Sequence, residues 1–193
     1  LVMKRGCPIL PLHFDNTPFL EEETTELTLE AAKNLFNWTV GFPRRVYVVS
    51  NGQNLAEIER KCPKKLVSTI SKRLMYRIAE RIAETKDAEG IVSGESIGEP
   101  PNQALRSIRL VDEAVKLYPV HRPTLGLTNA EVEQLATKIG TSETALKKMR
   151  TRQKALGKAA KAITLRDVEM AEERLGIDRM VEASTKSLRI VSL

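Results

Sequence analysis

Two hydrophobic periods alternate along this chain. Short apolar or β-branched runs occur at Cys7–Phe14, Arg45–Ser50, Gly90–Ser93 and Leu117–Val120, and longer stretches with helical spacing separate them. The first three runs close on turn chemistry: Asp15-Asn-Thr-Pro18, Asn51-Gly52 and Gly94. Over Thr25–Trp38 the spacing predicts a helix burying Leu27, Leu29, Ala32, Leu35 and Phe36, broken by Gly41-Phe-Pro43. A short helix over Asn54–Arg60 stops at Cys62-Pro63 and is followed by a long one from about Lys64 to Thr85. Within it Ile70, Leu74, Ile78 and Ile82 recur every four residues and are expected against the sheet. Lys72, Arg73, Tyr76, Arg77, Glu80 and Arg81 flank that stripe and read as a solvated charged face with modest ion pairs.

Further helices are predicted over Gln103–Val115, after a Thr128-Asn-Ala-Glu131 capping box, and over Thr164–Leu175 up to Gly176. Leu1–Gly6 reads as the last turn of a helix with a C-cap glycine, and Ser187–Leu193 alternates as a closing strand. Strands separated by helices predict an α/β fold, a Rossmann-like parallel sheet with helices on both faces. Right-handed crossovers place the loop ends on one edge of such a sheet. There the strand at Gly90–Ser93 runs into Gly94-Glu-Ser-Ile-Gly-Glu-Pro-Pro-Asn-Gln103, a glycine turn leading to a helix. Backbone N–H groups and a helix N-terminus in that geometry suit an anion or nucleotide. Gly94 and Gly98 allow positive φ and leave no Cβ in a ligand's way, although an ordinary βα turn fits the same residues.

Composition narrows the partners. At 193 residues the chain has the length of about one domain. Residues 1–145 are expected to form a nucleotide-binding α/β domain, and 146–193 a basic helical segment with the closing strand. A net charge of +6 favours polyanions over acidic partners. Lys147, Lys148, Arg150, Arg152, Lys154, Lys158 and Lys161 fall in one window without an acidic residue, and read either as an RNA-contacting segment or as a basic helix face. Two cysteines, Cys7 and Cys62, cannot form a clustered zinc site, and burial is the expected role of each. No run suits a membrane span, so a cytoplasmic setting is expected.

Lys72-Arg-Leu-Met-Tyr-Arg-Ile-Ala-Glu-Arg-Ile-Ala83 followed by Ile91-Val-Ser-Gly-Glu-Ser-Ile-Gly98 resembles the tRNA 4-thiouridine synthetases, also called tRNA sulfurtransferases or ThiI proteins. Leu1-Val-Met-Lys-Arg-Gly6, Leu12-His-Phe14, Arg122-Pro-Thr-Leu-Gly-Leu-Thr128 and Lys138-Ile-Gly-Thr141 extend the likeness in order. The resemblance implies an adenine-nucleotide alpha-hydrolase domain that activates a tRNA uridine, position 8, with ATP and Mg²⁺. It also implies tRNA and a sulfur donor protein or sulfide as partners, with a homodimer as a candidate assembly. By the same resemblance His13, Phe14, Lys72, Gly94 and Gln103 become nucleotide contacts, the first two through backbone atoms near adenine. Three departures accompany it: no Ser-Gly-Gly-x-Asp-Ser loop, Glu99-Pro-Pro101 in place of a Gln-Val pattern, and no cysteine after Ile139-Gly-Thr141. A catalytically silent nucleotide- or RNA-binding domain therefore stays open, as does a superfamily member acting on a small adenylated substrate.

Overall fold

A computed structural model describes residues 1–19, 23–38, 41–97, 101–141 and 163–193, with the side chains of 23 and 101–104 outside that description. A 3₁₀ turn at Val2–Arg5, closed by Gly6 at φ 80°, leads through an irregular stretch to β1 (Leu12–Asp15). That strand is shorter than the apolar run predicts, because Pro8 and Pro11 have no N–H for a ladder. After α1 (Glu23–Phe36), β2 (Arg45–Ser50) pairs parallel to β1 with Phe14 opposite Val49. Then α2 (Gly52–Lys61) and α3 (Lys64–Thr85) lead to β3 (Ile91–Val92), α4 (Pro101–Asp112) and β4 (Val120–His121). Pro119 delays β4 for the same reason that shortens β1. The chain continues through α5 (Asn129–Ile139), α6 (Leu165–Leu175), α7 (Ile177–Lys186) and β5 (Arg189–Ser192).

The strands form two sheets among the described residues. One has the order β1-β2-β5, with β5 antiparallel to β2; the other is the parallel pair β3-β4. Both strand pairs built by a helical crossover are parallel, as expected, whereas the closing strand returns from α7, which packs on α3 and β2, in the opposite sense.

The main core gathers Val49, Ile58, Leu66, Leu110, Val168 and Val181 around the predicted stripe Ile70, Leu74, Ile78 and Ile82 of α3. Phe14 and Leu12 pack against it from β1. A smaller core holds Ala32, Phe36, Val46 and Val48 between α1 and the other face of β2. Arg73 departs from the solvated-face reading: it is 1% exposed, covered by α6. Its guanidinium bonds both oxygens of Glu172 at 2.7 and 2.9 Å and also donates to the Leu110 carbonyl of α4. Arg77 adds a third bond to Glu172 at 3.1 Å. The acid that neutralises this face lies 99 residues away in sequence, beyond any helical spacing rule.

Candidate nucleotide site

The loop that follows β3 is organised by one carboxylate. Glu95 accepts from Lys72 Nζ at 2.8 Å through one oxygen, and from Tyr76 Oη at 2.9 Å and Arg122 Nε at 2.8 Å through the other. Its own carbonyl accepts from Thr124 Oγ1 at 3.0 Å, and Ile97 N donates to Leu125 O at 3.1 Å, so backbone and side chain are both held. Arg122 also bonds Asp112 at the end of α4 and lies over the Tyr76 ring. Burial alone would raise the Glu95 carboxyl, but the bonds from Lys72 and Arg122 outweigh it and hold the group at about 2. Burial pushes the Tyr76 phenol up to about 12, so it remains a proton donor at neutral pH. Lys72 stays 45% exposed while held, which leaves ammonium hydrogens for a second anion.

At β1 the backbone distinguishes the two expected contacts. Tyr47 N donates to Pro11 O and Asn51 N to Asp15 O, so these alternate residues turn their carbonyls toward β2. The two-residue period gives His13 the same direction and turns the N–H and C=O of Phe14 toward the opposite edge, where no described strand pairs. Among the described residues no strand pairs with the peptide groups of Phe14 at the carboxyl end of this edge strand, whereas those of His13 belong to the ladder. The His13 imidazole contacts Thr25 Oγ1 at 3.1 Å, and burial lowers its pKa against the opposing pull of Asp15. The turn beyond is locked by Asn51, 2% exposed, which donates to Asn16 at 2.7 Å and accepts from Asn54 at 3.1 Å. Gly52 is required there, since an added Cβ would lie 1.8 Å from the Thr17 carbonyl oxygen.

The predicted residues therefore fall into two groups bridged by α3. Lys72 meets the Gly94–Ile97 loop through Glu95, and Phe14 packs against the core cluster to which Ile70 and Leu74 of the same helix belong. Gly94 has no positive φ, and an added Cβ would meet no atom within 4 Å, so its value is open space rather than backbone freedom. Gln103 lies in the first turn of α4, with its side chain outside the described atoms, as is the whole of Gly98. The basic residues Lys147, Lys148, Arg150, Arg152, Lys154, Lys158 and Lys161 also lie outside the described residues. Cys62 is buried as expected, whereas Cys7 is exposed, because the proline-flanked stretch around it joins no sheet. A shallow groove of about 340 Å³ lined by Leu105, Ile108, Arg109 and Asp112 runs along α4, apart from His13, Phe14, Lys72 and Gly94. Sequence reasoning did not single out Glu95 and Arg122 as site residues, although both stand inside the motifs it used. Their mutual reach across 27 residues is what it lacked.

Known proteins place this geometry. The family model described as thiamine biosynthesis protein (ThiI) matches residues 1–176. A probable tRNA sulfurtransferase of Methanothermobacter thermautotrophicus is 36% identical over 141 residues, 73% of this chain and 36% of that protein. One from Alkaliphilus oremlandii is 35% identical over 146 residues, 76% of this chain and 36% of that protein. Another from Acetivibrio thermocellus is 30% identical over 197 residues and covers 100% of this chain but 49% of its own length. The chain thus spans from about a third to half of the relatives it matches. In fold it is similar to a solved structure described as a 4-thiouridine synthetase–RNA complex with bound ATP. The TM-score is 0.82 at 24% identity, over 100% of this chain and 50% of that one. The ordered motifs and the match over residues 1–176 show that this chain belongs to the ThiI family.

Proposed function

We propose that this chain is the adenine-nucleotide portion of an ATP-dependent tRNA sulfurtransferase that adenylates uridine 8 for 4-thiouridine formation. Its relatives are named probable tRNA sulfurtransferases, and the solved neighbour is described as a 4-thiouridine synthetase–RNA complex with bound ATP; both support the reading. The observation that carries the reading is Lys72, fixed by Glu95 beside the Gly94 loop yet 45% open to solvent. Uridine O4 is a poor leaving group. Its attack on the α-phosphorus of ATP expels pyrophosphate and leaves an O4-adenylate; a sulfur nucleophile then adds at C4 and AMP departs.

In this scheme the Phe14 peptide groups hold the adenine edge, Gly94 admits the nucleotide without steric cost, and Lys72 offsets phosphate charge. Gln103, in the first turn of the helix that follows, donates to ribose or phosphate. Among the described residues no group of three His, Cys, Asp or Glu gathers into a metal site; a Mg²⁺ entering with ATP would be held mainly by the phosphates and water and would offset phosphate charge. Cys7 is exposed and Cys62 buried; the sulfur in this scheme comes from a donor protein or from sulfide. No described helix is long and apolar enough to cross a membrane, and a cytoplasmic enzyme, with a homodimer as its candidate assembly, suits a tRNA substrate.

Thermal shift of the chain with ATP and with AMP tests the nucleotide site. Both are expected to raise Tm, and Lys72→Ala to remove most of the rise with ATP. Absence of any shift with either nucleotide overturns the reading. A shift without tRNA-dependent pyrophosphate release would favour the silent nucleotide-binding alternative.

A further inference from the structure

Trp38 is the sole tryptophan of the chain, and 59% of it is exposed. The ring is nevertheless fixed. Its Nε1 donates to Ile139 O at 3.2 Å, and Asn34 Nδ2 donates to Gly140 O at 2.6 Å, so the end of α1 is pinned to the end of α5. Phe42, 45% exposed, follows Gly41 just ahead of β2. Exposed cations stand near these rings in sequence, Lys33, Arg44 and Arg45, and Lys138 adjoins Ile139, whose carbonyl Trp38 bonds. Among the described residues none of the four enters a salt bridge. From Ala31 to Ala56 the chain has no acidic residue at all.

A large, fixed, water-exposed aromatic near cations that enter no salt bridge among the described residues is poorly explained as packing. Apolar protein partners would leave the cations desolvated and unmatched. Unpaired nucleobases match both features, because every base offers a π-face and every linkage a phosphate. We propose that Trp38 and Phe42 form a stacking surface for unpaired bases of an RNA strand, with Lys33, Arg44, Arg45 and Lys138 contacting its phosphates. The choice of RNA rests on the tRNA reading above; the surface itself stands on exposure and charge.

The single tryptophan makes the test direct. A mixed-sequence single-stranded RNA of about 12 nucleotides, within the usual span of such sites, is titrated into the whole chain and followed by intrinsic emission and by anisotropy of the labelled RNA. Saturable quenching is expected, with a duplex of equal length quenching far less. Trp38→Ala is expected to weaken single-strand binding about tenfold, and Trp38→Phe to retain most of it. Should Trp38→Ala fail to fold, the double change Arg44→Gln with Arg45→Gln keeps the emission probe and is expected to weaken binding and flatten its salt dependence. RNA bound with unchanged emission, or wild-type affinity in both Trp38→Ala and the double variant, overturns the surface. Unchanged emission on binding of intact tRNA sinks this surface and leaves the tRNA reading standing. Quenching by the oligonucleotide without tRNA-dependent ATP consumption does the reverse, and binding of no RNA at all sinks both.

Discussion

Arg73 and Glu95 show how single residues in this chain act across several elements. The Arg73 guanidinium joins α3, the carbonyl end of α4 and the α6 acid Glu172, all out of water. Removing either partner leaves a buried charge unmatched, so Glu172→Ala should cost about 3–5 kcal/mol in urea unfolding. Glu95 titrates at about 2 when folded against an ordinary 4.5. A carboxyl lowered in this way contributes stability that is complete above about pH 4.5 and is lost as pH falls toward 2. Glu95→Gln should therefore lower the urea midpoint at neutral pH, and its gap from wild type should close across that acid window. Gly52 has no room for a side chain against Thr17. Gly52→Ala should destabilise by about 1–3 kcal/mol, read from the same unfolding curves.

Elements are shaped here by their ends as much as by their faces. Thr128 and Glu131 close the predicted capping box of α5, and Thr164 with Asp167 forms a second one on α6. Each threonine accepts from the third backbone N–H of its helix while the acid returns to the threonine N–H. Thr164→Ala should cost about 1 kcal/mol, measured as a shift in thermal midpoint, and more than a control substitution at exposed Glu169. Proline acts in the opposite way at β1 and β4, trimming apolar runs that the residue pattern alone extends. The long helix α3 is the element that joins the site. Its apolar stripe lies in the core that Phe14 joins, and Lys72 and Tyr76 reach the loop after β3.

On the scale of the whole molecule, two parallel strand pairs and a set of covering helices were legible from alternating periods. Their division into two sheets was not, because pairing between strands leaves no trace in the spacing within each one. The candidate site was legible in part: Lys72 and the Gly94 loop were marked by motif, and the structure adds Glu95, Tyr76 and Arg122 as what holds them. With an RNA ligand, neutralising Lys147, Lys148 or Arg150 should lower the slope of log affinity against log salt, measured by filter binding of tRNA. The expected decrease is about 0.9 for each duplex phosphate whose counterion the side chain had displaced. An unchanged slope would assign that run to a plain basic helix face.

With the exception of α7, which the spacing did not mark, the sequence by itself determined the helices, the cores of the strands, the Thr128 capping box, the Ile70–Ile82 stripe and the basic balance, because each depends on neighbours within a few residues. Tertiary structure alone decided that Arg73 is buried on Glu172, that Glu95 is the hub of the loop, and that Trp38 is held yet exposed. In each case the deciding partner lies from 23 to 101 residues away. Local periodicity carries no information at that range; only the folded chain brings those groups within a hydrogen bond.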